Sequence, residues 1–344
     1  MNRLLLGLAW TLTWMIPALA YGQCAQLQRQ QVQAMGSVLR VAVCPRAGEV
    51  VQAQAAIQQV IQEFKRLEQD WSTWVPTSDV SRLNAQAGLG PVTVSAQTWA
   101  VLQRARRGSE QTQGLFDVTF SPLGALWRFD TPPGAHEPTR LQSIPTQAQV
   151  QEQLQKVGWQ DLIVDAIKPQ AALRRKGMSV HLGGLGKGAA VDRGVAILRA
   201  QGLVSFAIQA GGDLYCAGKN GERPWRIGIA HPRHKGELLG EVDIEDAAFS
   251  TSGDYERFAI IDGKRYHHIL DTRTGWPATA SQSVTVRAPS ATDAEVMTKA
   301  AFILGGPAGV ALVERLGGQA LIVDSQGTVF QSKSLHVVAT GGRP

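Results

Sequence analysis

Apolar residues recur at Ala56, Ile57, Val60, Ile61, Phe64, Leu67 and Trp71, a three-and-four spacing that lines one face of a helix, so the sequence predicts a helix over residues 53–71 with that face turned inward. Ahead of it, residues 33–43 read as a first strand entered through Met35-Gly36-Ser37. Behind it, residues 72–90 lose the period and are assigned to a loop. Ser95 then has the hydroxyl and the position of an N-cap for a helix running through Leu102 toward Arg107. Between Arg128 and Thr146, Pro, Gly and Thr accumulate without any apolar period, which predicts a loop or insertion and the best subdomain border.

The second half opens with a predicted strand ending at His181, then HLGGLGKG, then a helix over about 189–200. Further strands are predicted at 205–210, 225–229, 258–261 and 283–287, and a last pair of helices begins near Thr292 and Pro307. No tandem repeat is present. Helices and short strands mixed in this way predict an α+β fold.

Composition narrows the picture. The 344 residues are 44% hydrophobic, 18% charged and 6% aromatic with 36 glycines, enough for a real core and wrong for a coiled coil or a disordered chain. The net charge of +6 comes from scattered Lys and Arg that accompany no nucleic-acid module, so it reads as a solvated basic surface and no nucleic-acid partner is expected.

Arg3, an apolar run over 4–16 and Ala18-Leu19-Ala20 have the layout of a secretion signal cleaved after Ala20. The run is too short for a permanent membrane span. Tyr21-Gly22-Gln23 lacks the small residue that lipoprotein processing requires ahead of Cys24, so a soluble periplasmic product is expected. Of Cys24, Cys44 and Cys216, two can pair but no pairing is demanded, and no zinc spacing is present. Cys216, within a strand-turn segment, reads as a small buried hydrophobe rather than a nucleophile.

Four segments could carry chemistry. GGLGKG (183–188) can aim backbone amides at an anion. It is neither a Walker loop, since His181 and Gly188 occupy two of the required positions, nor the GxGxxG fingerprint. Tight packing explains its glycines equally well. QAGGDLYCAG (209–218) places a Gly-Gly-Asp turn after an apolar strand, where an ordinary hairpin would look the same. STSGDYERF (250–258) gathers hydroxyls with Asp254 and Arg257, the latter able to clamp a phosphate. HHILDTRTG (267–275) adds imidazole, carboxylate, hydroxyl and guanidinium groups within nine positions.

These segments, together with Met35-Gly36-Ser37, STW and SDVSRLN (72–84), GLFDVTFSPLGALW (114–127), GGLGKGAAVD (183–192), PWRIGI (224–229) and HHILDTRTGWP (267–277), occur in an order that resembles the ApbE-type FAD:protein FMN transferase family over residues 33–318. The resemblance implies a T-fold-like architecture of largely antiparallel sheets with packed helices, in one domain over 21–344. It implies transfer of FMN from FAD to a Thr or Ser hydroxyl of a periplasmic or membrane redox protein, with release of AMP. By the same resemblance Met35, Trp74, Phe116, Asp117, Lys187, Gly211, Gly212, Asp213, Ser252, Asp254, Arg257 and His268 hold FAD, with Trp74 stacking on a ring and Lys187 facing phosphate. His268, Asp271 and Thr274 form the catalytic centre, His268 as base or orienting group and Thr274 as a phosphate contact.

The chain departs from the family at its metal site. Members usually bind magnesium through an Asp on a late helix, a Thr one turn later and a loop carbonyl; here those two side-chain positions are Glu295 and Lys299. A modified magnesium site would draw on Gly186, Asp293, Glu295 and Thr298, whereas Lys299 offers a charge in the metal's place. His181 stands where an acidic residue is usual and Ala189 where a larger aromatic is usual. Three readings therefore stand: the transferase, an FAD pyrophosphatase giving FMN and AMP, and a noncatalytic FAD-binding or assembly protein.

Overall fold

The computed structural model describes Cys24, residues 26–129, Leu141 and residues 143–338. The predicted signal peptide (1–20) and most of the predicted insertion (128–146) lie outside the described residues. One antiparallel sheet of eight strands organises the rest, and its strands lie side by side in chain order. They are β1 (Gln28–Ala34), β2 (Ser37–Val43), β3 (Phe206–Ala210), β4 (Asp213–Ala217), β5 (Ala247–Gly253), β6 (Ser281–Ala288), β7 (Gln319–Asp324) and β8 (Val329–Gln331).

The strand predicted over 33–43 is instead a hairpin, because the chain reverses at Met35 (φ 52) and Gly36 (φ 66), with Ala34 opposite Ser37. Two successive positive φ values make the turn whose twist matches that of the flanking strands. No strand ends at His181 either. Val180 donates to Asn84 Oδ1 (2.7 Å) and accepts from Asn84 Nδ2 (3.0 Å), so one side-chain amide takes both bonds that a neighbouring strand would have supplied.

Eight helices are described: α1 (Val50–Trp71), α2 (Asp79–Ala85), α3 (Ala96–Gln111), α4 (Ser121–Gly124), α5 (Gln147–Leu154), α6 (Gly186–Ala200), α7 (Ala291–Leu304) and α8 (Gly306–Arg315). α1 buries the predicted face, from Ala53 to Trp71, and the Ser95 side chain accepts from Thr98 N as expected of an N-cap. α2 lies within the predicted loop of 72–90. It is seven residues long, too short for a period to register, and its signal is the cap at Ser78, which accepts from Ser81 N.

Strand alternation sorts the residues into layers. Ala248 of β5 joins the main core under α1, α6, α7 and α8, while its neighbour Phe249 points the other way. There Phe249 and Cys216 meet Ile229, Val242 and Ile244 from a smaller sheet formed by Arg223–Ala230, Leu238–Ile244 and Lys219–Asn220. The antiparallel, helix-covered α+β fold expected from the sequence is the one observed. Burial pushes the Cys216 thiol up to about 12, which keeps it protonated and inert, and Cys24 is paired with Cys44. Among the described residues no helix is long and apolar enough to cross a membrane.

α6 and α7 pack backbone to backbone. A Cβ on Gly188 would sit 2.4 Å from Ala291 O, and Asp192 of α6 accepts from Ala291 N (2.8 Å) and Thr292 N (3.0 Å) at the start of α7. Gly188→Ala is therefore expected to lower stability by about 1–3 kcal/mol, the usual cost of overpacking. Thermal unfolding reads this directly; an unchanged midpoint would mean that the two helices can separate without cost.

Candidate active site

The same alternation that builds the layers builds the site. On β4, Asp213 shares the helix-facing side with Tyr215, and on β5, Ser250 and Ser252 share it with Ala248. Glu295, Thr298 and Lys299 of α7 meet them, as does Lys187 in the first turn of α6.

These groups form a closed network. Lys187 Nζ lies 2.7 Å from Glu295 Oε1 and 3.0 Å from Asp213 Oδ2. Gly188 N donates to Glu295 Oε2 (2.8 Å), Ser250 Oγ to Asp213 Oδ1 (2.5 Å), and Thr298 Oγ1 to Glu295 O (2.8 Å) while lying 3.3 Å from Ser250 Oγ. Glu295 is 0% exposed and Asp213 2%, a burial that two carboxylates tolerate only when paired and hydrogen-bonded. The N-terminal end of α6 supplies a favourable dipole as well as an N–H. Burial alone would lower the pKa of Lys187, but Asp213 and Glu295 carry it above the ordinary lysine value, so the ammonium keeps its proton.

Beside this network, Lys299 Nζ donates to Ser252 Oγ at 2.7 Å. Burial lowers its pKa, with Glu295 opposing the shift and Lys187 reinforcing it. Across from it is the hairpin of Phe258–Ile261 and Lys264–His267. His268, which follows the hairpin, donates through its backbone to Arg257 O (3.2 Å), and its Nδ1 lies 3.4 Å from the same oxygen. Burial, then the charges of Arg257, His267 and Lys299, hold His268 well below the usual histidine value. His181, whose Nδ1 accepts from Gly183 N (3.0 Å), is lowered to about 4 by burial, then by Arg257 and Lys187. His181, His268 and Lys299 are half-exposed and still strongly desolvated, the condition of side chains lining a cleft.

Backbone closes the other side. A Cβ on Gly211 (φ 60) would meet Ser37 Oγ at 2.6 Å and Lys187 Cε at 3.8 Å, and one on Gly212 would meet Thr251 O at 2.6 Å. Met35 Cε lies 3.9 Å from the Cβ position of Gly186. The tip of the first hairpin, the Gly-Gly turn and the start of α6 thus converge around Lys187.

Several residues predicted for the site are engaged elsewhere. Asp117 accepts from Thr119 N, Thr119 Oγ1 and Trp159 N at 2.7, 2.7 and 2.9 Å, and Phe116 is buried with its ring 3.1 Å from the Cβ position of Gly184, so this pair shapes the glycine loop from behind. Asp254 is held by both arms of Arg233 at 2.6 and 2.7 Å. Asp271 accepts from Arg273 Nη2 (2.7 Å) and from Arg273 Nε and N (both 2.9 Å), bracing a turn in which Thr274 is exposed. His268 and Asp271 therefore engage separate partners. Trp74 is 90% exposed on its loop.

The proposed metal set does not converge. Asp293 binds Arg104 (2.7 Å) and Ser290 Oγ (2.7 Å) on the exposed side of α7, whereas Glu295 is enclosed by Lys187 and Gly188. Gly186 is the first residue of α6, and the Thr298 hydroxyl is directed to Glu295 O. Among the described residues no group of three or more His, Cys, Asp or Glu could hold a metal ion. The residues present do not fit magnesium. Ser250, absent from the predicted set, links Asp213 to Thr298; its signal was its place two residues before Ser252 on one strand face.

The sequence matches the ApbE family model over residues 35–323. This chain belongs to the ApbE family. It is 32% identical over 297 residues to the FAD:protein FMN transferase of Treponema pallidum (strain Nichols), covering 83% of this chain and 80% of that protein. It is 33% identical over 264 residues to that of Klebsiella pneumoniae (strain 342), covering 76% and 79%. The crystal structure of the ApbE protein from Thermotoga maritima matches with a TM-score of 0.79 at 29% identity, over 90% of this chain and 98% of that one. The flavin transferase ApbE from Vibrio cholerae matches at 0.78 and 26%, with the same coverage.

Two predictions follow from the electrostatics of this ApbE-family site. Lys187→Met leaves two buried carboxylates without their cation and is expected to lower stability by about 3–5 kcal/mol, read by denaturant unfolding, with partial recovery in Lys187→Met/Glu295→Gln. His181 has a folded pKa of about 4, below its unfolded value of 6.5, so between these the unfolded chain binds the extra proton and stability falls as the pH is lowered. His181→Gln should flatten the decline in thermal midpoint from pH 6.5 to 4; an identical slope would show that His181 does not titrate there.

Proposed function

We propose that this protein transfers FMN from FAD to a Thr or Ser hydroxyl of an exported redox protein, releasing AMP. The observation that carries this reading is the cationic cleft, in which Lys187 and Lys299 flank the start of α6 and Arg257 faces them with no ion-pair partner among the described residues. Such a cleft suits a diphosphate, because ammonium and guanidinium groups lower the cost of charge gathered on the phosphoryl oxygens during displacement. The names of the curated relatives support the same reaction.

In this reading the acceptor hydroxyl attacks the flavin-side phosphorus, the bond to the AMP oxygen breaks, and AMP leaves with the charge. The hydroxyl proton goes to His268. Its lowered pKa keeps the imidazole neutral near pH 7, and with Nδ1–H assigned toward Arg257 O, Nε2 keeps a free lone pair. The predicted leader over 1–20 and the Cys24–Cys44 pair support an oxidising, periplasmic setting.

The test mixes the protein lacking residues 1–20 with FAD and a panel of exported redox proteins, and looks for fluorescent acceptor on a denaturing gel together with free AMP. FMN and AMP without a labelled acceptor would favour the pyrophosphatase, and intact FAD would favour a binding protein. His268→Asn is expected to slow transfer about 10²–10⁴-fold, the range for loss of a general base. Since His268 must be neutral to act, the wild-type rate should hold on acidification to pH 6.5, the ordinary histidine value, and fall only below it.

A further inference from the structure

Resting on the FAD-binding reading above, we infer that the Lys299 ammonium is a built-in cation for the FAD diphosphate, so that this chain binds FAD without a divalent metal. The first support is charge balance. Lys187 and Lys299 together match Asp213 and Glu295, so the quartet is neutral and offers a dication no excess of negative charge. An ion brought beside the quartet would also meet two ammonium groups at close range.

The second support is the disposition of oxygen donors. Magnesium requires several freely directed oxygens in near-octahedral array. Both Glu295 oxygens are engaged, by Lys187 and Gly188 N, and both Asp213 oxygens, by Lys187 and Ser250. The Thr298 hydroxyl donates to Glu295 O. Asp293 is held by Arg104 and Ser290.

The third support is Lys299 itself. It follows Glu295 by four residues, on the same face of α7, and is half-exposed where Glu295 is buried. An ammonium has three N–H donors, and Ser252 Oγ takes one of them at 2.7 Å. Among the described residues no carboxylate lies within ion-pair distance of Lys299 Nζ. Two N–H donors thus remain for an anionic ligand in the cleft. Lysine supplies them as a point charge without fixed coordination, which suits the phosphoryl oxygens of a diphosphate.

The test is FAD binding followed by flavin fluorescence, with no acceptor present, so that it stands apart from transfer. Wild-type affinity is expected to be the same in excess chelator and in millimolar magnesium. Lys299→Met should weaken FAD binding about tenfold or more under both conditions, as loss of a charged hydrogen bond does, while Lys299→Arg retains most of it. Glu295→Asp/Lys299→Thr, which removes the ammonium and shortens the carboxylate away from Lys187, should make FAD binding magnesium-dependent and should bind Mn²⁺ detectably by electron paramagnetic resonance. Wild-type FAD binding that collapses in chelator, or one Mn²⁺ bound tightly by the wild-type protein, would overturn the inference even if transfer is active. Metal-independent FAD binding without acceptor labelling would uphold it while overturning the transferase reading.

Discussion

Lys187 holds the molecule together at its functional end. Among the described residues its ammonium is the one group that touches both Asp213 on the sheet and Glu295 on α7, and it stands in the first turn of a third element, α6. Without it the two carboxylates at the helix-sheet interface would lose the cation that bridges them. Gly188 completes the arrangement: its N–H binds Glu295, and its missing side chain lets the helices approach closely enough for that bond. Charge pairing and close packing are here two aspects of one contact.

This anchoring leaves the mouth of the cleft to groups with fewer obligations. Lys299, His268 and Arg257 share the site's electrostatics without being locked into its network: Arg257 lowers the proton affinity of the other two, and Lys299 that of His268. The outcome is a site that keeps its fixed charges inside and its adaptable ones where a ligand enters. Asp254 and Asp271 are each held by an arginine, Arg233 and Arg273, so their charges are matched.

Much of the fold was legible because it rests on local signals. The apolar stripe of α1 and the Ser95 cap reappear in place, and the strand at Phe258–Ile261 matches its predicted bounds. The first hairpin was not, since a methionine in the left-handed region is no turn signal; the reversal is enforced by strand pairing rather than by residue preference. The site was legible in part. Lys187, Asp213, Ser252 and Glu295 were named from the sequence, but the bond between Lys187 and Glu295 spans 108 positions and leaves no local pattern. Asp117, Asp254 and Asp271 looked equally suited to a ligand; Asp271 is taken by Arg273 two residues on, while the Trp159 and Arg233 partners of Asp117 and Asp254 emerge only with the tertiary structure.

The chain-ordered sheet also dictates a timetable. β1 and β2 pair early, but the inner edge of β2 waits for β3, which begins only at Phe206. Until that residue leaves the ribosome, α1 has only a two-stranded ribbon to cover, and such ribbons are marginal in water. The half-made chain is therefore soft. Late strands, rather than early ones, decide when this molecule becomes solid.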